Sequence, residues 1–82
     1  MINIIDHAKE RMKQRGITAQ EVFLTVRKGT KTPASMNRIK FSFEFHLKYS
    51  SKKKYYSKKT VIVIAEQIKN NIDVITVYSK FY

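Results

Sequence analysis

The chain has 82 residues, room for a single domain over 1–82 and none for a separate cofactor-binding unit. Lysine and arginine number 17 against 6 aspartates and glutamates, a formal net charge of +11. The absence of cysteine excludes a disulfide scaffold and a thiolate zinc site, and a hydrophobic content of 43% is too high for a disordered polycation.

Residues 2–5 are apolar but for Asn3, and Asp6 is a candidate cap for a helix over 7–15, with Gly16 as its left-handed stop. Thr18-Ala19-Gln20-Glu21 reads as a capping box for a second helix over 19–28, with Val22, Phe23 and Val26 as its apolar stripe and Gly29 as its end. Residues 29–36 read as a loop, extended at Thr32-Pro33. From Ile39 the period changes to two. Ile39, Phe41, Phe43, Phe45, Leu47 and Tyr49 alternate with polar residues and predict a long strand with one buried face. A polar turn at 50–54 leads to a partner strand containing the apolar run 61–65, which reads as central. Lys69-Asn70-Asn71 is a tight turn in which asparagine would take the positive φ, and 73–79 forms the last strand. The expected fold is α+β, with two N-terminal helices on one face of an antiparallel meander of three to four strands. The first few residues are candidates for an added edge strand.

A charge of +11 exceeds the range of about 2–8 usual for a small domain. It favours a polyanionic partner, with nucleic acid first, an acidic protein second and an anionic membrane third, although charge also simply keeps a small protein soluble. No basic segment followed by an apolar run opens the chain, and its longest apolar run falls far below the roughly 18 residues that span a bilayer. The expectation is a cytoplasmic protein without a membrane partner.

His7, Arg11 and Arg15 share one helix side at i, i+4 and i+8. Arginine offers phosphate a planar fork, and histidine exchanges protons near neutrality. The same spacing also describes a solvated basic face. Residues 48–59 hold six lysines and three tyrosines with no acid, the ingredients of single-strand nucleic-acid binding or of an ordinary hairpin tip. On the last strand Val74, Thr76 and Tyr78 would share one face, with Ile75 and Val77 on the other. The hydroxyls of Thr76 and Tyr78 then stand together. The six acids are scattered, the two histidines lie on different elements, and only Gly16 and Gly29 are available for a phosphate loop. The expected chemistry uses no metal and no small-molecule cofactor.

The run His7-Ala8-Lys9-Glu10-Arg11-Met12-Lys13-Gln14-Arg15-Gly16-Ile17, then Thr18-Ala19-Gln20-Glu21-Val22, closely resembles the signature of a small bacterial domain family, the domain of unknown function 4258. That family ends in a strand like Asp73-Val74-Ile75-Thr76-Val77-Tyr78, and Arg38 near a strand start is the one further match. It looks similar to the BrnT and RelE toxins and to the wider barnase, EndoU and colicin nuclease fold. The resemblance implies a ribonuclease toxin neutralised by an acidic antitoxin or immunity protein. It implies catalytic roles for His7, Arg11, Arg15, Thr76 and Tyr78. RNA on either side would be held by Arg38, Lys52, Lys53, Lys54, Tyr55, Tyr56, Lys58 and Lys59. Two other functions fit the same sequence: a non-catalytic member of the toxin fold that blocks an enzyme such as a gyrase, and a plain nucleic-acid binding module.

Overall fold

The computed structural model describes residues 1–46, the backbone of 49–51 and 54–56, and residues 58–82. The side chains of 47–57 lie outside the described residues, and with them the expected RNA contacts of Lys52, Lys53, Lys54, Tyr55 and Tyr56. The elements run β1 (Ile2–Ile4), α1 (Asp6–Arg15), α2 (Ala19–Lys28), β2 (Thr30–Pro33), a short 3-10 turn (Ser35–Asn37), β3 (Ile39–Phe45), β4 (Tyr49–Ser51), β5 (Lys54–Tyr56), β6 (Lys59–Ile68) and β7 (Asn71–Phe81). Five strands form one sheet in the order β1-β7-β6-β3-β2, and β4 pairs with β5 in a separate ribbon.

The α+β arrangement of helices on a sheet holds, but the sheet is mixed and wider than expected. β1 joins β7 in parallel, pairing Ile2 with Ile72 and Ile4 with Val74. Part of the expected loop 29–36 is strand β2, antiparallel to β3, and its Pro33 is tolerated because this is a sheet edge. The strand expected from Ile39 to Tyr49 is interrupted, with β3 ending at Phe45 and Tyr49 belonging to β4. β6 is the central strand, as its apolar run implies.

Both helices end as their sequences dictate. Gly16 takes φ 63°, and its N–H donates to the Met12 carbonyl. The expected Asp6 cap is corrected. Ile5 occupies the N-cap position without a side-chain bond, and Asp6 is the first helical residue. Its charge still favours the positive helix end. The capping box of α2 is complete: Glu21 N–H donates to Thr18 Oγ1 at 3.1 Å, and Thr18 N–H donates to Glu21 Oε1 at 2.9 Å. Gly29 is needed for close approach, because a Cβ there would lie 2.4 Å from the Thr25 carbonyl oxygen and 2.6 Å from that of Ser42. In the β6–β7 turn, Lys69 rather than an asparagine takes the positive φ of 55°. The pairing of Ile68 with Asn71 makes Lys69 the first residue of a two-residue loop, where a hairpin requires that conformation.

The core joins Ala8 of α1 and Val22 of α2 to Phe41, Val61, Val63, Ala65, Val74 and Val77 of the sheet. Lys59 shares the parity of Val61 and Val63 and is therefore turned inward, 2% exposed. This corrects its expected role at the RNA surface. Its ammonium donates to the Gly16 carbonyl at 2.6 Å and to Glu21 Oε1 at 2.8 Å, and lies 5.5 Å from the Phe81 ring centroid. A buried lysine is sustained only by partners of this kind. It ties the end of α1 and the start of α2 to the central strand.

The sheet's other face is formed by alternate residues, and its cross-strand rows follow from register. Thr76, Ile64, Lys40 and Thr32 form one row; Tyr78, Ile62, Ser42 and Thr30 form the next; Lys80, Thr60 and Glu44 form a third. Ile62 and Ile64 are half-buried, whereas Lys40, Lys80 and Tyr78 are exposed. Among the described residues no helix is long and apolar enough to cross a membrane.

Candidate functional site

α1 packs along β7 by burying Ala8 and resting Met12 on the core. That burial fixes the rotation of the helix about its axis and sends the i, i+4, i+8 row to one side. The end of the helix is anchored by Ser79 Oγ–H, which donates to the Arg15 carbonyl at 3.1 Å. At the start, Ile5 N–H donates to the Val74 carbonyl at 3.3 Å.

β7 contributes its side through an irregularity. Ile64 pairs with Thr76 and Ala65 pairs with Val74, so Ile75 is an extra residue on β7. A bulge of this kind bends the strand and re-aims its side chains. It corrects the simple alternation expected for 73–79. Val74 and Val77 are both fully buried, while the adjacent Ile75 and Thr76 both line the same cleft. Unbroken alternation would have put those neighbours on opposite faces.

The resulting cleft, about 260 Å³, is lined by His7, Arg11, Arg15, Arg38, Ile75, Thr76 and Tyr78. All five residues singled out for chemistry meet there, and Arg38 joins them from the start of β3. Among the described residues, no carboxylate lines the cleft. Among the described residues, no three His, Asp or Glu side chains gather where they could hold a metal ion.

The arginines differ in how firmly they are held. Arg15 Cζ lies 5.1 Å from the Tyr78 ring centroid, and its Nε is buried without a hydrogen-bond partner. Arg11 Nη1 donates to Gln14 Oε1 at 3.1 Å. Arg38 Nε lies 4.0 Å from Glu66 Oε2, at the limit of an ion pair. A guanidinium with an unmet buried donor calls for an acceptor. Phosphate oxygens have the geometry to satisfy several such forks at once.

Lys58 is exposed, and its Nζ lies 3.8 Å from Glu44 Oε1. Lys40 and Lys80, passed over in the sequence, flank Ile62, Ile64 and Tyr78 on the open sheet face. Their alternation with core residues marked them as outward-facing, but only the register puts Lys40 of β3 in the same cross-strand row as Ile64 and Thr76.

A family model described as "Domain of unknown function (DUF4258)" matches residues 4–79. The chain belongs to that family, as its opening signature implies. No curated protein and no solved structure matches it.

Proposed function

We propose that this DUF4258 domain is an endoribonuclease toxin that cleaves RNA with side chains alone. The observation that carries the reading is the cleft itself: an imidazole, three guanidinium groups and two hydroxyls, with no carboxylate and one buried arginine donor awaiting an acceptor. Such a lining suits a phosphodiester and repels nothing anionic.

In this mechanism the ribose 2′-oxygen attacks the adjacent phosphorus while the phosphorus–O5′ bond breaks. The products are a 2′,3′-cyclic phosphate and a 5′-hydroxyl. His7 moves the proton, and the Tyr78 hydroxyl is the second donor or acceptor. One group takes the 2′-hydroxyl proton and the other protonates the departing 5′-oxygen. Arg11, Arg15 and Arg38 stabilise the charge that grows on the phosphoryl oxygens. The Thr76 hydroxyl orients the phosphate.

Flanking RNA crosses the open sheet face, with phosphates near Lys40 and Lys80 and bases against Ile62 and Tyr78. An acidic antitoxin or immunity protein covers the same basic surface, drawn there by a net charge of +11.

The test is His7→Ala. His7 is exposed and outside the core, so the variant keeps its far-UV circular dichroism and its melting temperature. RNA cleavage and growth inhibition fall by at least about 100-fold, the usual scale of a general acid–base group. Undiminished cleavage by the folded variant removes His7 from the mechanism.

A further inference from the structure

Arg38 is the shared wall of two depressions. One is the cleft. The other, about 480 Å³, has apolar walls from Pro33, Ala34 and Ile39 and polar rims from Lys31 and Asn37. Its volume falls in the range of roughly 300–1,000 Å³ typical of small-molecule sites. Among the described residues, its lining contains no acid.

The backbone at its rim is unusual. Met36 and Asn37 are consecutive left-handed residues with φ of 60° and 59°. Asparagine adopts this conformation readily, but a methionine is strained in it. Such strain collects at ligand clamps, where the surrounding structure imposes it. Here the turn is closed by Ala34 N–H donating to the Arg38 carbonyl at 2.8 Å and Arg38 N–H donating to the Ser35 carbonyl at 3.3 Å. The same closed turn therefore holds Asn37 and Arg38 side by side at the rim. The Asn37 side chain is exposed at that rim.

A guanidinium that lines both depressions, beside an exposed amide at the mouth of the apolar one, has the chemistry of a nucleotide site. Phosphate contacts set register, and amide contacts to a base edge give specificity. We propose that the depression is a base subsite: it takes the nucleobase next to the phosphate held in the cleft, and Asn37 reads its edge. This rests on the nuclease reading for the identity of the strand and goes beyond it by assigning sequence preference to one residue.

The experiment titrates ¹⁵N-labelled protein with AMP, GMP, CMP, UMP and inorganic phosphate, following the Asn37 side-chain amide and the Arg38 Nε resonance. Inorganic phosphate moves Arg38 and leaves the Asn37 amide in place, whereas the nucleotides move both. The affinities for the four nucleotides spread by about tenfold or more, the scale of one base-edge contact. Asn37→Gly keeps the positive φ accessible. In that variant the spread collapses to within about twofold, and phosphate binding is unchanged. A spread that survives in Asn37→Gly, or phosphate reproducing the full nucleotide pattern, overturns the subsite. Intact RNA alongside the predicted nucleotide pattern would instead sink the nuclease reading and leave the subsite standing. Cleavage without any base dependence would do the reverse.

Discussion

Arg15 and Tyr78 form the tightest-built corner of the cleft, with a guanidinium carbon 5.1 Å from a ring centroid and a buried Nε left without an acceptor. The ring and the hydroxyl of Tyr78 do different work, and they can be separated. Tyr78→Phe keeps the ring beside Arg15 and removes only the hydroxyl proposed to exchange a proton. Cleavage by that variant falls by roughly 100-fold, and its melting temperature stays at the wild-type value. Tyr78→Ala also removes the cation–π contact, worth about 0.5–1 kcal/mol at an exposed site, and so weakens binding of RNA as well. Equal losses in the two variants would show that the hydroxyl carries the whole effect. The convergence of His7, Arg11 and Arg15 was legible because helical spacing fixes a shared side. Lys59 was misread because a lysine within a cationic run looks solvated. Only its parity with Val61 and Val63 betrays it.

Helix α2 shows how much one element can owe to its ends. Its start was legible from four residues, Thr18 to Glu21, because a capping box is a local exchange of two hydrogen bonds. Its anchoring to the sheet was not, because Lys59 reaches Glu21 across 38 positions of sequence. Lys59→Met removes the ammonium from a Glu21 carboxylate that is only 13% exposed, and destabilises the fold by about 3–5 kcal/mol in urea unfolding. Adding Glu21→Gln, which keeps an oxygen acceptor for the Thr18 N–H, recovers part of that loss by removing the half-buried negative charge. Gly29→Ala forces α2 and β3 apart against two backbone carbonyls, at a cost of about 1–3 kcal/mol. The β7 bulge was illegible for a related reason. Nothing in Val74-Ile75-Thr76-Val77 marks an extra residue until the strand is paired with β6. The parallel pairing of β1 depends likewise on a partner some 70 positions away.

At the scale of the whole molecule, eleven uncompensated positive charges must be shared with a polyanion or be tolerated as self-repulsion. The fold class was legible because helices precede strands and the hydrophobic period switches once. The N-terminal edge strand was legible too, but β2 was not, because so short a strand carries too few residues to show a period. If RNA occupies the cleft and the open sheet face together, about six phosphates are neutralised, and log K falls against log salt with a slope of about −4. A flat salt response, measured by fluorescence anisotropy on a labelled single strand, would contradict an RNA partner. The most direct measurement is to incubate the purified protein with total RNA in EDTA and map the new ends. The account predicts fragments ending in 2′,3′-cyclic phosphate and beginning with 5′-hydroxyl, absent with His7→Ala. RNA left whole, or fragments bearing 5′-phosphate, would contradict it.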